Sequence, residues 1–134
     1  MKMKLEDKWG IPLSENYIGT TWSVDEAKTY DECISLIQSV LKLWKVQKID
    51  CRGYSDMDTH GNECFFRSKE EFDGGLDMIK KIDVDNIGVD FVVGEEEVSV
   101  GFHGIGINGM ASVSVCGDKA VVKKVVGELK KLTV

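Results

Sequence analysis

The sequence is poor in proline, with one in 134 residues, has only two histidines, and contains no apolar run long enough to leave water. A membrane helix needs about 20 apolar residues in succession and a secretory signal roughly 7–15. The first residues, Met1 to Lys8, carry positive charge with no such run behind them, so a soluble cytoplasmic protein with no membrane partner is expected. Basic residues are also in deficit, 17 Lys and Arg against 23 Asp and Glu, for a net charge of −6. Neutralising phosphates takes a basic face, so nucleic acid is excluded as an expected partner. Cysteine is sparse and scattered. Cys33, Cys51, Cys64 and Cys116 form no C-x-x-C pair, which argues against a zinc ribbon or a thioredoxin-type redox motif. In a reducing compartment they read as small apolar residues, Cys33 in a helix and the others in strands.

What is present is enough for a core. The apolar share is 43%, with three Trp, three Tyr and five Phe, and the length suits a single domain spanning 1–134. Residues 1–22 are the least regular part, with a short strand expected over 17–22. Ser23-Val24-Asp25-Glu26 has the form of a capping box. Behind it Ala27, Tyr30, Ile34, Ile37, Leu41 and Trp44 recur at helical steps and make one apolar stripe. Leu36 and Leu43 lie at the edge of that stripe, which is compatible with homo-oligomerisation. Val46 to Tyr54 then alternates, Asp56 to Asn62 is turn chemistry, and Glu63 to Arg67 reads as a returning strand.

Ser68-Lys69-Glu70-Glu71 opens a second helix with Phe72, Leu76 and Ile79 inward, weakened by Gly74-Gly75. A second hairpin is expected from Ile87–Val93 and Glu97–His103 around a three-residue turn, Gly94-Glu95-Glu96. A fifth strand runs from Met110 to Cys116. Gly117-Asp118 caps a last helix whose inner stripe is Val121, Val122, Val125, Val126, Leu129 and Leu132. The expected order is α-β-β-α-β-β-β-α: an α+β domain with a mostly antiparallel sheet of about five strands and three helices.

The chemical motifs are weak. Gly104-Ile105-Gly106-Ile107-Asn108-Gly109 fits G-x-G-x-x-G, but a dinucleotide loop must open a helix, and here a strand follows. It reads instead as a connection between strands. Asp56-Met57-Asp58-Thr59-His60-Gly61 begins like a calcium loop, yet its fifth position is His60 and its twelfth is Arg67, so an EF-hand is rejected. Cys51, His60, Cys64 and Asp58 could approach one another on a hairpin, but their spacing matches no zinc pattern, and neither metal nor cofactor is expected. For catalysis the nearest thing is Cys116 at a strand-to-helix junction with His103 as its base; no third orienting residue accompanies them, and the expectation is no catalytic site.

Charge distribution says more. Residues 1–52 carry eight acids and eight bases, residues 53–97 thirteen and four, and residues 98–134 two and five. An acidic middle segment of this kind can steer a basic protein partner by complementary potential. The candidate contact residues are Asp56, Asp58, Glu63, Glu70, Glu71, Glu95, Glu96 and Glu97. In size, acidity and α+β build the whole chain is similar to small bacterial immunity proteins, which neutralise a partner toxin by covering its active site; no single motif carries that resemblance. The alternative expectation is a small-ligand or regulatory domain, with Gly101, His103, Gly104, Gly106, Gly109 and Cys116 forming a glycine-rich wall that lets backbone approach a ligand closely.

Overall fold

The computed structural model describes residues 5–6, 12–13, 17–24, 29–53, 62–106 and 111–133. The strands are β1 (Leu5–Glu6), β2 (Pro12–Leu13), β3 (Tyr17–Ser23), β4 (Lys45–Gly53), β5 (Asn62–Phe66), β6 (Asn86–Val93), β7 (Glu96–His103) and β8 (Ser112–Asp118). The helices are α1 (Tyr30–Val40), α2 (Lys69–Gly74), α3 (Leu76–Lys81) and α4 (Lys119–Thr133). β1 and β2 form a small ribbon, and the other six strands make one antiparallel sheet in the order β3-β8-β7-β6-β4-β5. The α+β class holds. The sheet has six strands rather than five because the N-terminal segment completes it, β3 pairing along its whole length with β8.

Three local differences from the sequence reading have physical causes. Ser23 does not cap the first helix, because it continues β3 opposite Ser112. The cap is Thr29, whose hydroxyl accepts from the Glu32 N–H at 3.2 Å while Glu32 Oε1 accepts from the Thr29 N–H at 3.3 Å. α1 ends at Val40, so Trp44 leaves the helical stripe and meets Phe91 edge-on at 5.3 Å between ring centres. The second helix is divided into α2 and α3 at Gly75, where the Phe66 ring occupies the space a Cβ would need, 2.3 Å from its position. Of the two leucines at the edge of the first stripe, Leu36 packs against the core, and Leu43 lies beyond the helix end, partly exposed.

Most of the sheet's large apolar side chains point to one face, Phe65 being an exception. Ile49, Val89, Phe91, Val98, Val100, Val113 and Val115 are fully buried against Ile37 and Val40 of α1, Phe72, Ile79, and Val122, Val125 and Leu129 of α4. Each side chain of this size removed from water contributes roughly 1.5–3 kcal/mol. The two ends of the described chain are also joined: the Trp22 indole N–H donates to Thr133 Oγ1 at 2.9 Å, tying edge strand β3 to the last turn of α4. No helix among the described residues is long and apolar enough to cross a membrane.

Candidate functional site

Because strand side chains alternate, burying one face commits the intervening residues to the other. On that open face Lys48, Arg52, Glu63, Phe65, Glu97, Ser99 and His103 are exposed. Its centre is a depression of about 270 Å³ lined by Asp50, Arg52, Asn86, Ile87, Gly88, Gly101 and His103. The depression exists because Gly88 of β6 and Gly101 of β7 are direct cross-strand partners, so two adjacent positions of the sheet carry no side chain. The two glycines differ in what surrounds them. A Cβ on Gly101 would lie 2.7 Å from Ser114 Oγ and 2.8 Å from His103 Nε2, whereas a Cβ on Gly88 would meet nothing within 4 Å. Gly101 is already roofed by His103; Gly88 is bare.

His103 is held at both ring nitrogens. Asn86 Nδ2–H donates to Asp85 Oδ1 at 2.9 Å, which turns Asn86 Oδ1 toward the imidazole, 2.9 Å from His103 Nδ1. That network places a proton on Nδ1, which donates to Asn86, and sets Nε2 2.9 Å from the Ser114 hydroxyl. On the other side of the depression, Arg52 Nη2 donates to Asp50 Oδ2 at 3.2 Å, and its Nε lies 3.5 Å from Glu63 Oε1. Asp50 Oδ1 is closed to solvent and has no hydrogen-bond partner among the described residues. A buried acceptor without a donor is costly, so this wall of the site is chemically incomplete. Further along the same face, Ser99 Oγ donates to Asp90 Oδ1 at 2.7 Å, and the Lys48 ammonium lies over the exposed Phe65 ring, 5.1 Å from its centre.

Of the glycine-rich set expected from the sequence, Gly101 and His103 line this depression. Gly104 and Gly106 are in the following turn with φ of 67° and 77°, and the next described element is the strand β8, so among the described residues the glycines lead to a strand and not to a helix. Gly109 lies outside the described residues. Cys116 shares the open face but sits opposite Ser99 and Gly19, whereas His103 sits opposite Ser112. Four residues of strand separate the two positions, about 13 Å at the usual rise. With His103 committed to Asn86 and Ser114, the Cys116–His103 pair is not assembled. Cys116 is also not at a helix N-terminus: α4 begins at Lys119 and packs on the opposite face, and Asp118 Oδ1 caps it by accepting from the Ala120 N–H at 3.1 Å.

The acidic residues of the middle segment are dispersed. Glu63 and Glu97 share the open face but stand on β5 and β7 with two strands between them. Glu70 is exposed on α2, and Glu71 is occupied by the Arg67 N–H, which donates to its Oε2 at 2.8 Å. Glu95 and Glu96 are at the β6–β7 turn, and Asp56 and Asp58 lie outside the described residues. The open face also holds acids that the sequence reading did not name as contacts, Asp50 and Asp90. With Glu63 and Glu97 these make four carboxylates among the described residues, against three cations, Lys45, Lys48 and Arg52.

Cys51 and Cys64 are direct cross-strand partners, both free thiols, on the buried face. Burial, then the neighbouring Cys64 sulfur, pushes the Cys51 thiol well up, and burial likewise raises Cys64, which favours the protonated thiol at both positions. His60 and Asp58 lie outside the described residues, and among the described residues no group of three metal-ligating side chains converges.

Asp50, Arg52, Asn86 and Gly88 escaped the sequence reading. The one available signal was a lone glycine inside each of two neighbouring strand patterns, which marks a place where a strand gives up its side chain. Comparison with known proteins returns no matching family model, no matching curated protein and no matching solved structure.

Proposed function

We propose that this domain is a binding module without catalytic activity, which engages a basic protein through the open face of its sheet. The observation that carries the reading is that face itself: an exposed sheet surface with more carboxylates than cations, a depression at its centre and the exposed aromatic Phe65 beside it. Exposed aromatics next to a concavity are the usual anchors of protein interfaces, and a carboxylate surplus steers a basic partner into register. The volume supports a protein partner over a cofactor, since about 270 Å³ falls below the roughly 300–1,000 Å³ of typical small-molecule sites. In the form suggested by the likeness to immunity proteins, the partner is a cytoplasmic toxin with a basic active-site region. The working surface is moved from the acidic run of 53–97 as a whole to the sheet face, which takes only Glu63, Asp90 and Glu97 from that run.

The test is charge reversal on this face. Asp90→Lys and Glu97→Lys together should weaken binding of mixed lysine–arginine peptides and make its dependence on salt shallower, while Glu128→Lys on α4 should leave it unchanged. Binding indifferent both to the open-face reversal and to ionic strength would exclude the reading.

A further inference from the structure

We propose that the depression over Gly88 is a guanidinium site, which takes an arginine side chain from the basic partner. The proposal rests on the reading of the open face as a protein-binding surface and adds the chemistry of its anchor. The floor at Gly88 and Gly101 is strand backbone, a flat surface that among the described residues no side chain covers at Gly88. One wall is the His103 ring, fixed by Asn86 and Ser114. The other is Asp50, whose Oδ2 accepts from Arg52. Among the described residues Arg52 lies between two carboxylates, Asp50 and Glu63, which exceed it by one negative charge.

These features select a planar cation. A guanidinium is flat, weakly hydrated and carries a fork of donors matched to a carboxylate, so it can lie on the bare backbone beside the Asp50 carboxylate. An ammonium is compact and strongly hydrated and gains little from a flat floor. An anion would meet two carboxylates for each guanidinium.

The experiment follows amide NMR shifts of the full chain on titration with Nα-acetylarginine amide, Nα-acetyllysine amide and Nα-acetylcitrulline amide, the last having the shape of arginine without its charge. The arginine compound should shift the amides of Gly88, Gly101 and His103 saturably, and the other two should bind at least about tenfold more weakly, the worth of one charge-assisted bond. Gly88→Val should abolish the shifts with an unchanged circular dichroism spectrum, and Asp50→Asn should weaken binding at least about tenfold even if the valine variant fails to fold. Equal binding of citrulline and arginine compounds, or no response at these amides, overturns the proposal. A lysine-only peptide that binds the face as well as an arginine peptide, without shifting Gly88, overturns the guanidinium site and leaves the protein-binding reading standing. An arginine amide that binds as tightly as any arginine-rich peptide assigns the site to a free small guanidinium compound, which overturns the choice of a protein partner.

Discussion

Gly88 and Gly101 stand directly opposite each other across β6 and β7, and together they remove two side chains from the middle of the open sheet face. The pair is asymmetric, which gives it a direct test. Gly101→Ala forces a Cβ to within 2.7 Å of Ser114 Oγ and 2.8 Å of His103 Nε2. It should cost about 1–3 kcal/mol in urea unfolding and release His103 from Ser114. Gly88→Ala places its methyl in open space and should be neutral or stabilising by up to about 1 kcal/mol, because glycine within a strand carries excess unfolded-state entropy. Equal effects of the two substitutions would contradict the packing described.

Tyr30 has a buried hydroxyl with no hydrogen-bond partner, and its pKa is pushed up to about 12 by burial first, then by the nearby Cys51 thiol and the Asp31 and Asp83 carboxylates. The folded state therefore keeps a proton that the unfolded chain releases near pH 10, so this contribution to stability is whole below about pH 10 and is lost as pH rises toward the folded value. Tyr30→Phe should flatten the alkaline limb of the stability profile. At neutral pH it should cost nothing and should gain up to about 1–3 kcal/mol from removing an unsatisfied polar group. A destabilised phenylalanine variant at pH 7 would show that the hydroxyl has a partner.

Asp73 behaves in the opposite direction. The Lys69 ammonium donates to its Oδ2 and holds the carboxyl below the usual carboxylate range; burial opposes this, and Gln38 Nε2, donating to Oδ1 at 2.9 Å, adds to the lowering. Its contribution is present above the unfolded carboxyl's pKa of about 3.9 and is lost as pH falls through the lower folded value. Acid unfolding of Asp73→Asn, followed by circular dichroism, should show a shallower dependence on pH below about 4 than the parent chain. Gln38→Ala should do the same to a smaller degree, since it leaves Lys69 in place. An unchanged acid limb in Asp73→Asn would refute this link between α1 and α2.

Thr133 closes the fold. Its hydroxyl accepts from the Trp22 indole and donates to the Leu129 carbonyl, each at 2.9 Å. Thr133→Val keeps the shape, leaves the half-buried indole N–H without its acceptor, and should cost about 1–3 kcal/mol. Hydrogen exchange should rise first in β3, the edge strand that this bond pins. Exchange rising uniformly across the sheet would argue against a local tie.

Periodicity alone made much of this architecture legible. Most of the inner stripe of α4, the alternation of β6, β7 and β8, and the Ser68 cap, whose hydroxyl accepts from the Glu71 N–H at 3.1 Å, follow from local patterns that the fold kept; Leu132, expected inward, is exposed, and Thr133 is buried instead. The central site was hidden by a single residue. Taking Gly94-Glu95-Glu96 as a three-residue turn sets Val93 against Glu97 and so Gly88 against Phe102. The real turn is Gly94-Glu95, with Gly94 at φ 65°, and Val93 pairs with Glu96. Since strand side chains alternate, that slip of one moves a residue to the wrong face and separates the two glycines.

The sequence by itself determined the α+β class, the helix stripes, the strand alternation and the lack of any standard catalytic or nucleotide motif, because each depends on residues a few positions apart. The tertiary structure decided which residues meet. It completed the sheet with β3, divided the second helix where Phe66 fills the space above Gly75, dispersed the acids of 53–97, and gathered Asp50, Arg52, Asn86, Gly88, Gly101 and His103 from three strands around one depression. Those outcomes depend on register and on which face is buried. Register is a property of paired strands and burial of the packed whole, so neither is written in any one segment of the chain.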